Sequence, residues 1–130
     1  MNKMVETMLH RDRFAQLCGM EMVKARDGES IVRMPIKDCH LNALDMVHGG
    51  AIFAMADYAF ALACNSKNPP SVALSVNIQF LKPGVKGVLQ AHARELCTSG
   101  RVATYLVEVR DEADEILASF QGLSYIKTSK

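Results

Sequence analysis

The chain has 130 residues, 49% of them hydrophobic and 22% charged, with a formal net charge of +1. That is chain enough for one domain with a buried core. It is too little charge to draw the protein to nucleic acid or to an anionic membrane.

Charged residues punctuate the N-terminus at Glu6, Arg11, Asp12 and Arg13, unlike the apolar run of a signal peptide. The four cysteines (Cys18, Cys39, Cys64 and Cys97) form no CxxC pair. Free buried thiols in a reducing, cytoplasmic setting are the expectation. Val5, Met8, Leu9, Phe14 and Leu17 predict one short leading helix. Strands at Glu21 to Ala25 and Ile31 to Ile36 flank a turn at Asp27-Gly28. Asp38 to Val47 has no clean period and reads as a loop. A helix starts near Gly49 and ends by Ser66, where Asn68, Pro69 and Pro70 stop it. It is one buried helix long and too alanine-rich for a membrane span.

The remainder is strand-like. Val72, Leu74, Val76, Ile78 and Phe80 alternate with polar or small residues, which predicts a strand with that set facing inward. Pro83-Gly84 ends it. Val88 to Cys97 follows, then a turn at Thr98-Ser99-Gly100. Val102 to Val109 and Ile116 to Tyr125 form a hairpin around Asp111 to Glu115. This order predicts an α+β fold, one antiparallel sheet wrapped around one apolar helix.

Asp57 is the only Asp, Glu, Lys or Arg between Met46 and Ser66. A carboxylate in so apolar a helix loses hydration and needs compensation. Its structural explanation is a buried ion pair or a capped backbone group. Its functional explanation is chemistry, because perturbed carboxylates cluster at active sites. Gly49 and Gly50 stand where loop becomes helix, and a helix start offers unpaired N–H groups. Without side chains they admit a close approach to the backbone, or they serve turn geometry alone. Such donors can hold a carbonyl oxygen as it gains charge, while Asp57 attacks or deprotonates water. His48 fits a residue that hydrogen-bonds the loop at the helix start better than a proton donor. Ser75 belongs to the polar face of its strand, with or without a catalytic part. Cys39, His40 and His48 match no strong zinc spacing.

At about 1.5 Å per residue, Gly49 and Asp57 lie roughly 12 Å apart along the helix. One small carbonyl does not reach both in a single chain. If both act on it, they come from two copies, and the protein is a homodimer with active sites at the interface.

Asn42, then Val47-His48-Gly49-Gly50, then Ala56-Asp57-Tyr58-Ala59-Phe60-Ala61 with Asn65, resemble the hotdog-fold acyl-CoA thioesterases of the PaaI-like (phenylacetate-pathway) group. Ser75-Val76-Asn77, Leu81 to Gly84 and Gly100-Arg101 extend the likeness, which covers roughly residues 14–126. The resemblance implies a single hotdog domain over residues 1–130, with a short N-terminal helix over about 5–18. It implies Gly49 as oxyanion donor through its N–H, and Asp57 of the neighbouring subunit as nucleophile or general base. Asn42 and Ser75 would place water or substrate, and His48 would support the loop. Val47, Gly50, Phe53, Lys82, Pro83, Gly84, Gly100 and Arg101 would contact the acyl group or coenzyme A. Phe53, Tyr58 and Phe60 would shape the acyl tunnel. The substrate would be an acyl-CoA, the assembly a homodimer or homotetramer, with no metal or redox cofactor. The family's usual glycine three residues after the asparagine is Asp45 here. Aspartate tolerates a left-handed backbone, and a second acid near the site would disfavour anionic acyl groups. Two alternatives remain at this stage: a hotdog hydratase or dehydratase using His48, and a non-catalytic acyl-CoA-binding module.

Overall fold

The computed structural model describes residues 1–127. Two short helices, α1 (Lys3–Arg11) and α2 (Arg13–Cys18), open the chain where the periodicity predicts one. Asp12 separates them. Its N–H donates to the Met8 carbonyl at 3.0 Å, closing α1. Its carboxylate accepts the Ala15 N–H at 3.0 Å, opening α2. An aspartate in mid-helix competes for backbone donors and favours a helix start. Gly19, at φ 75°, ends α2.

The strands β1 (Glu21–Arg26) and β2 (Glu29–Pro35) form the expected hairpin. Asp27 (φ 52°) and Gly28 (φ 85°) both take left-handed conformations at its tip, as a two-residue turn of this type requires. A short 3-10 turn, Asp38–His40, occupies part of the predicted loop. The long helix α3 spans Gly49–Lys67. Four strands follow: β3 (Ser71–Phe80), β4 (Val88–Ser99), β5 (Val102–Arg110) and β6 (Ile116–Ile126). All pairings are antiparallel, in the order β1-β2-β4-β5-β6-β3.

The sheet wraps α3. Met55, Ala56, Ala59, Leu62 and Ala63 are fully buried. Alanine at three of those positions lets helix and sheet approach closely. Phe60 packs against two sheet aromatics, with its ring centroid 5.6 Å from that of Tyr105 and 5.7 Å from that of Phe120. It also lies over Gly122, where a Cβ would come within 2.7 Å of the ring. Asn65 staples the end of α3 to the start of β3. Its amide donates to the Ala61 and Ser71 carbonyls, and its Oδ1 accepts the Ser71 N–H at 2.8 Å.

One expectation fails along β3. Val76 and Ile78 pack against the core, but Val72, Leu74 and Phe80 are 43%, 56% and 54% exposed. A bulge between Ala73 and Ser75 shifts the register, and β3 is an edge strand with one open side. A bulge moves residues between faces, so simple alternation misplaces Val72 and Leu74. Phe80 stays in phase with Val76 and Ile78, its ring beside Gly49, and is exposed at the strand's end.

Candidate active site

Backbone contacts on either side clamp the start of α3. Asn42 Oδ1 accepts the Leu44 N–H at 2.9 Å and the Met46 N–H at 3.2 Å, while its own N–H donates to the Met46 carbonyl. This closes a tight loop in which Asp45 takes φ 58°. Aspartate thus holds the left-handed turn that glycine would otherwise supply. Val47 donates to the Gly84 carbonyl at 2.8 Å, and His48 donates to the His40 carbonyl at 2.7 Å. Gly84 is buried, and a Cβ there would stand 2.7 Å from Leu117. Its lack of a side chain lets the segment after β3 press against Val47.

His48 is the N-cap of α3, its Nδ1 accepting the Gly50 N–H at 2.7 Å. Among the described residues, the Gly49 N–H has no acceptor. It is a free donor at the positive end of a 19-residue helix. The Phe80 ring lies 3.4 Å from where a Gly49 Cβ would stand, an apolar wall beside that donor.

Two turns further along, Asp57 opens onto a cleft of about 320 Å³. Gly50, Phe53, Ala54, Asp57 and Ala61 form its floor, one stripe of α3 at helical spacing. Asp12, Phe14 and Met20 from the N-terminal arm form the opposite wall. Asp57 is half-buried and, among the described residues, has neither an ion pair nor a hydrogen bond. Neither structural explanation for this carboxylate therefore applies. Burial raises its pKa above the ordinary carboxylate value, and the nearby Asp12 charge adds to the rise. An unpaired carboxylate with raised proton affinity in an apolar cleft suits proton abstraction.

Residues 44–118 match the thioesterase superfamily. The chain belongs to that family. It is 33% identical over 119 residues to the acyl-coenzyme A thioesterase PaaI of Escherichia coli, covering 91% of this chain and 85% of that protein. It superposes on the solved PaaI structure with a TM-score of 0.90, at 31% identity, over 95% of this chain and 90% of the other. The phenylacetic acid degradation protein PaaI of Thermus thermophilus gives a TM-score of 0.85 at 36% identity, covering 89% of this chain and all of that one. The sheet wrapped around α3 is thus the hotdog fold of a PaaI-like thioesterase, and the chemistry of the family is thioester hydrolysis.

Not every residue singled out from this thioesterase's sequence meets at the cleft. Gly50 and Phe53 line it; Tyr58 does too, while Phe60 belongs to the core. Asn42 and His48 shape the loop above it. Ser75 is exposed and lies in a separate shallow groove with Leu96, Thr104 and Gln121. Asp45 is exposed and does not line the cleft; the second acid there is Asp12. Lys82 is held by Asp111 at 3.2 Å and by Glu115. Pro83 is exposed beside it. Gly100, at φ 61°, makes the β4–β5 turn, and Arg101 donates to the Ile126 carbonyl at 2.7 Å. Lys82 sits at one end of β6, beside Leu117, and Arg101 at the other. At about 3.4 Å per residue, roughly 30 Å separates them. A single chain does not unite these two cationic groups.

Sequence patterning misses Asp12, Phe14 and Phe80. The available signal for Asp12 is its type: aspartate prefers a helix start to a helix interior. His40 also proves structural, its Nδ1 accepting the Lys37 N–H and its Nε2 pairing with the Cys18 carbonyl. Burial pushes the Cys64 thiol up to about 12, which makes it inert as a nucleophile.

Proposed function

We propose that this thioesterase hydrolyses acyl-CoA as a homodimer, with Gly49 of one subunit and Asp57 of the other acting on one thioester carbonyl. The observation that carries it is the pair of unmet groups on α3: a free N–H at Gly49 and an unpaired carboxylate at Asp57. They lie roughly 12 Å apart along the helix and about 80° apart around it. The names of PaaI and of the human acyl-coenzyme A thioesterase 13, 28% identical over 71% of this chain, favour coenzyme A thioesters as substrates.

The edge strand supports the dimer. Edge β1 carries Glu21, Lys24 and Arg26, charges that discourage further pairing, whereas β3 (SVALSVNIQF) has none across its 10 residues. Two β3 strands meeting antiparallel about a two-fold axis continue the sheet from one copy into the next. That pairing sets the Ser71 end of one copy beside the Phe80 end of the other. Arg101 of one copy then approaches Lys82 of the partner subunit, a cationic pair suited to the phosphates of coenzyme A. The groove that holds Ser75, with Leu96 beside it, offers a second contact surface for a tetramer. The four unpaired cysteines suit a cytoplasmic location, although only Cys64 is buried as expected and Cys39 and Cys97 are exposed.

Asp57 takes a proton from water, and the resulting hydroxide attacks the carbonyl carbon. The Gly49 N–H holds the oxyanion, the C–S bond breaks, and the thiolate of coenzyme A leaves with the proton that Asp57 took from water, which restores the carboxylate. No metal or redox cofactor is required. The His48 Nδ1 is engaged in capping α3, which disfavours the hydratase alternative. A thiol-release assay across aryl, short-chain and long-chain acyl-CoAs tests the proposal; binding without any release would leave only an acyl-CoA-binding module.

A further inference from the structure

We infer that Asp12 sets acyl specificity: its carboxylate, fixed across the cleft from Asp57, turns away acyl groups that end in a negative charge. The inference rests on the thioesterase reading above, since it assigns the cleft to the acyl group.

The break between α1 and α2 places this side chain. Its cap to the Ala15 N–H, at 3.0 Å, holds one carboxylate oxygen. The residue lines the cleft with Phe14 and Met20, facing the stripe of α3 that carries Asp57. Among the described residues, no lysine, arginine or histidine contributes to that lining. Arg11 and Arg13 flank Asp12 in sequence but are exposed, and neither reaches the cleft. Two carboxylates without a cation therefore face one apolar space. Their mutual repulsion already contributes to the rise in the pKa of Asp57.

Capping alone does not call for a charge, because serine and asparagine open helices as well as aspartate does. The charge has a consequence for substrates. A terminal carboxylate entering the cleft meets like charge in a partly desolvated setting, where Coulomb repulsion is far stronger than in water. A neutral aryl or alkyl end meets only apolar surface. Repulsion of the wrong ligand is an established route to specificity.

The test compares kcat/KM for a neutral acyl-CoA of the wild type's preferred length with that for its counterpart bearing a terminal carboxylate. Wild-type protein should prefer the neutral substrate by at least about tenfold. Asp12→Asn and Asp12→Ser both keep a helix cap and remove the charge. Each should narrow the preference by about tenfold, chiefly by raising kcat/KM for the anionic substrate. An unchanged ratio in both variants, with normal melting behaviour, overturns the role of Asp12 and leaves thioester hydrolysis standing. If wild-type protein releases thiol from no acyl-CoA, the thioesterase reading falls and this inference falls with it.

Discussion

His48 Nδ1 accepts the N–H of Gly50 at 2.7 Å, so the start of α3 keeps one donor for its own fold and leaves the one before it, on Gly49, free. The histidine is then a capping residue, and its substitutions should separate capping from proton transfer. His48→Ala removes the cap, at a cost of about 1 kcal/mol in stability, and loosens the loop that aims Gly49. Asparagine is a good N-cap, so His48→Asn should recover most of the stability and the turnover lost by His48→Ala. Equal inactivity of both variants, with thermal melting restored in the asparagine form, would instead show that the imidazole itself takes part in the reaction.

Gly49→Ala should move stability and activity in opposite directions. The new Cβ meets the Phe80 ring at 3.4 Å, an ordinary contact, and φ at this residue is not left-handed. Alanine in a helix is favoured over glycine by about 0.5–1 kcal/mol, so the melting temperature should hold or rise. The N–H survives, but a methyl group now stands beside it. Losing access to one oxyanion donor costs about 10²–10³ in kcat. Steady-state kinetics and thermal melting on the same preparation check both halves.

Asp57 carries the clearest pH signature. Asp57→Ala should lower thioester hydrolysis by at least about 10²-fold, as expected for loss of a positioned base. In the wild type, kcat/KM should rise with pH as Asp57 ionises, with its midpoint above the ordinary value of 3.8. The effect on stability has the opposite sign. Burial and Asp12 raise the folded-state pKa, so the folded protein holds this proton more tightly than the unfolded chain does. That contribution is fully present below the unfolded pKa and is lost as pH rises through the folded value. Asp57→Asn should therefore melt higher than wild type at neutral pH, and the difference should shrink in acid. A variant that melts lower at pH 7 would point to a stabilising partner for Asp57.

Only direct attack, followed by hydrolysis at the carboxyl carbon of Asp57, can carry solvent oxygen into that side chain; general-base catalysis cannot. One turnover in H₂¹⁸O with excess enzyme should put the heavy oxygen in the released acid and none in Asp57. Label found in the Asp57 carboxylate by peptide mass analysis would establish a covalent anhydride intermediate instead.

The sequence reveals most of what lies along α3, because a single carboxylate in nineteen otherwise uncharged or terminal positions contrasts sharply with its surroundings. The hairpin at Asp27-Gly28 and the left-handed Asp45 are legible for a local reason: each depends on one backbone conformation and one residue type. Features created by tertiary contact are not. Periodicity at Phe14 and Leu17 continues that of Val5 and Met8, so it hides the break at Asp12, which only the competition for backbone donors reveals. The bulge at Ala73 to Ser75 likewise leaves no mark on the alternation of β3. The resemblance places both Lys82 and Arg101 against coenzyme A, yet the length of β6 separates them within one chain.

In the proposed homodimer, the edge of β3 ties assembly to catalysis. Leu74 is 56% exposed in the single chain, so a charge there costs the subunit's own fold little. At a strand-to-strand seam, two lysines related by the two-fold axis would be brought close together, and like charges opposed across a sheet are destabilising. Leu74→Lys should therefore shift the protein toward monomer in sedimentation equilibrium, with its circular dichroism spectrum preserved. Thioester hydrolysis should fall in step with the dimer fraction and recover as protein concentration rises, because the proposed site takes Gly49 from one copy and Asp57 from the other. A monomeric Leu74→Lys variant with full activity would show that Gly49 and Asp57 of one chain suffice, and would refute the shared site.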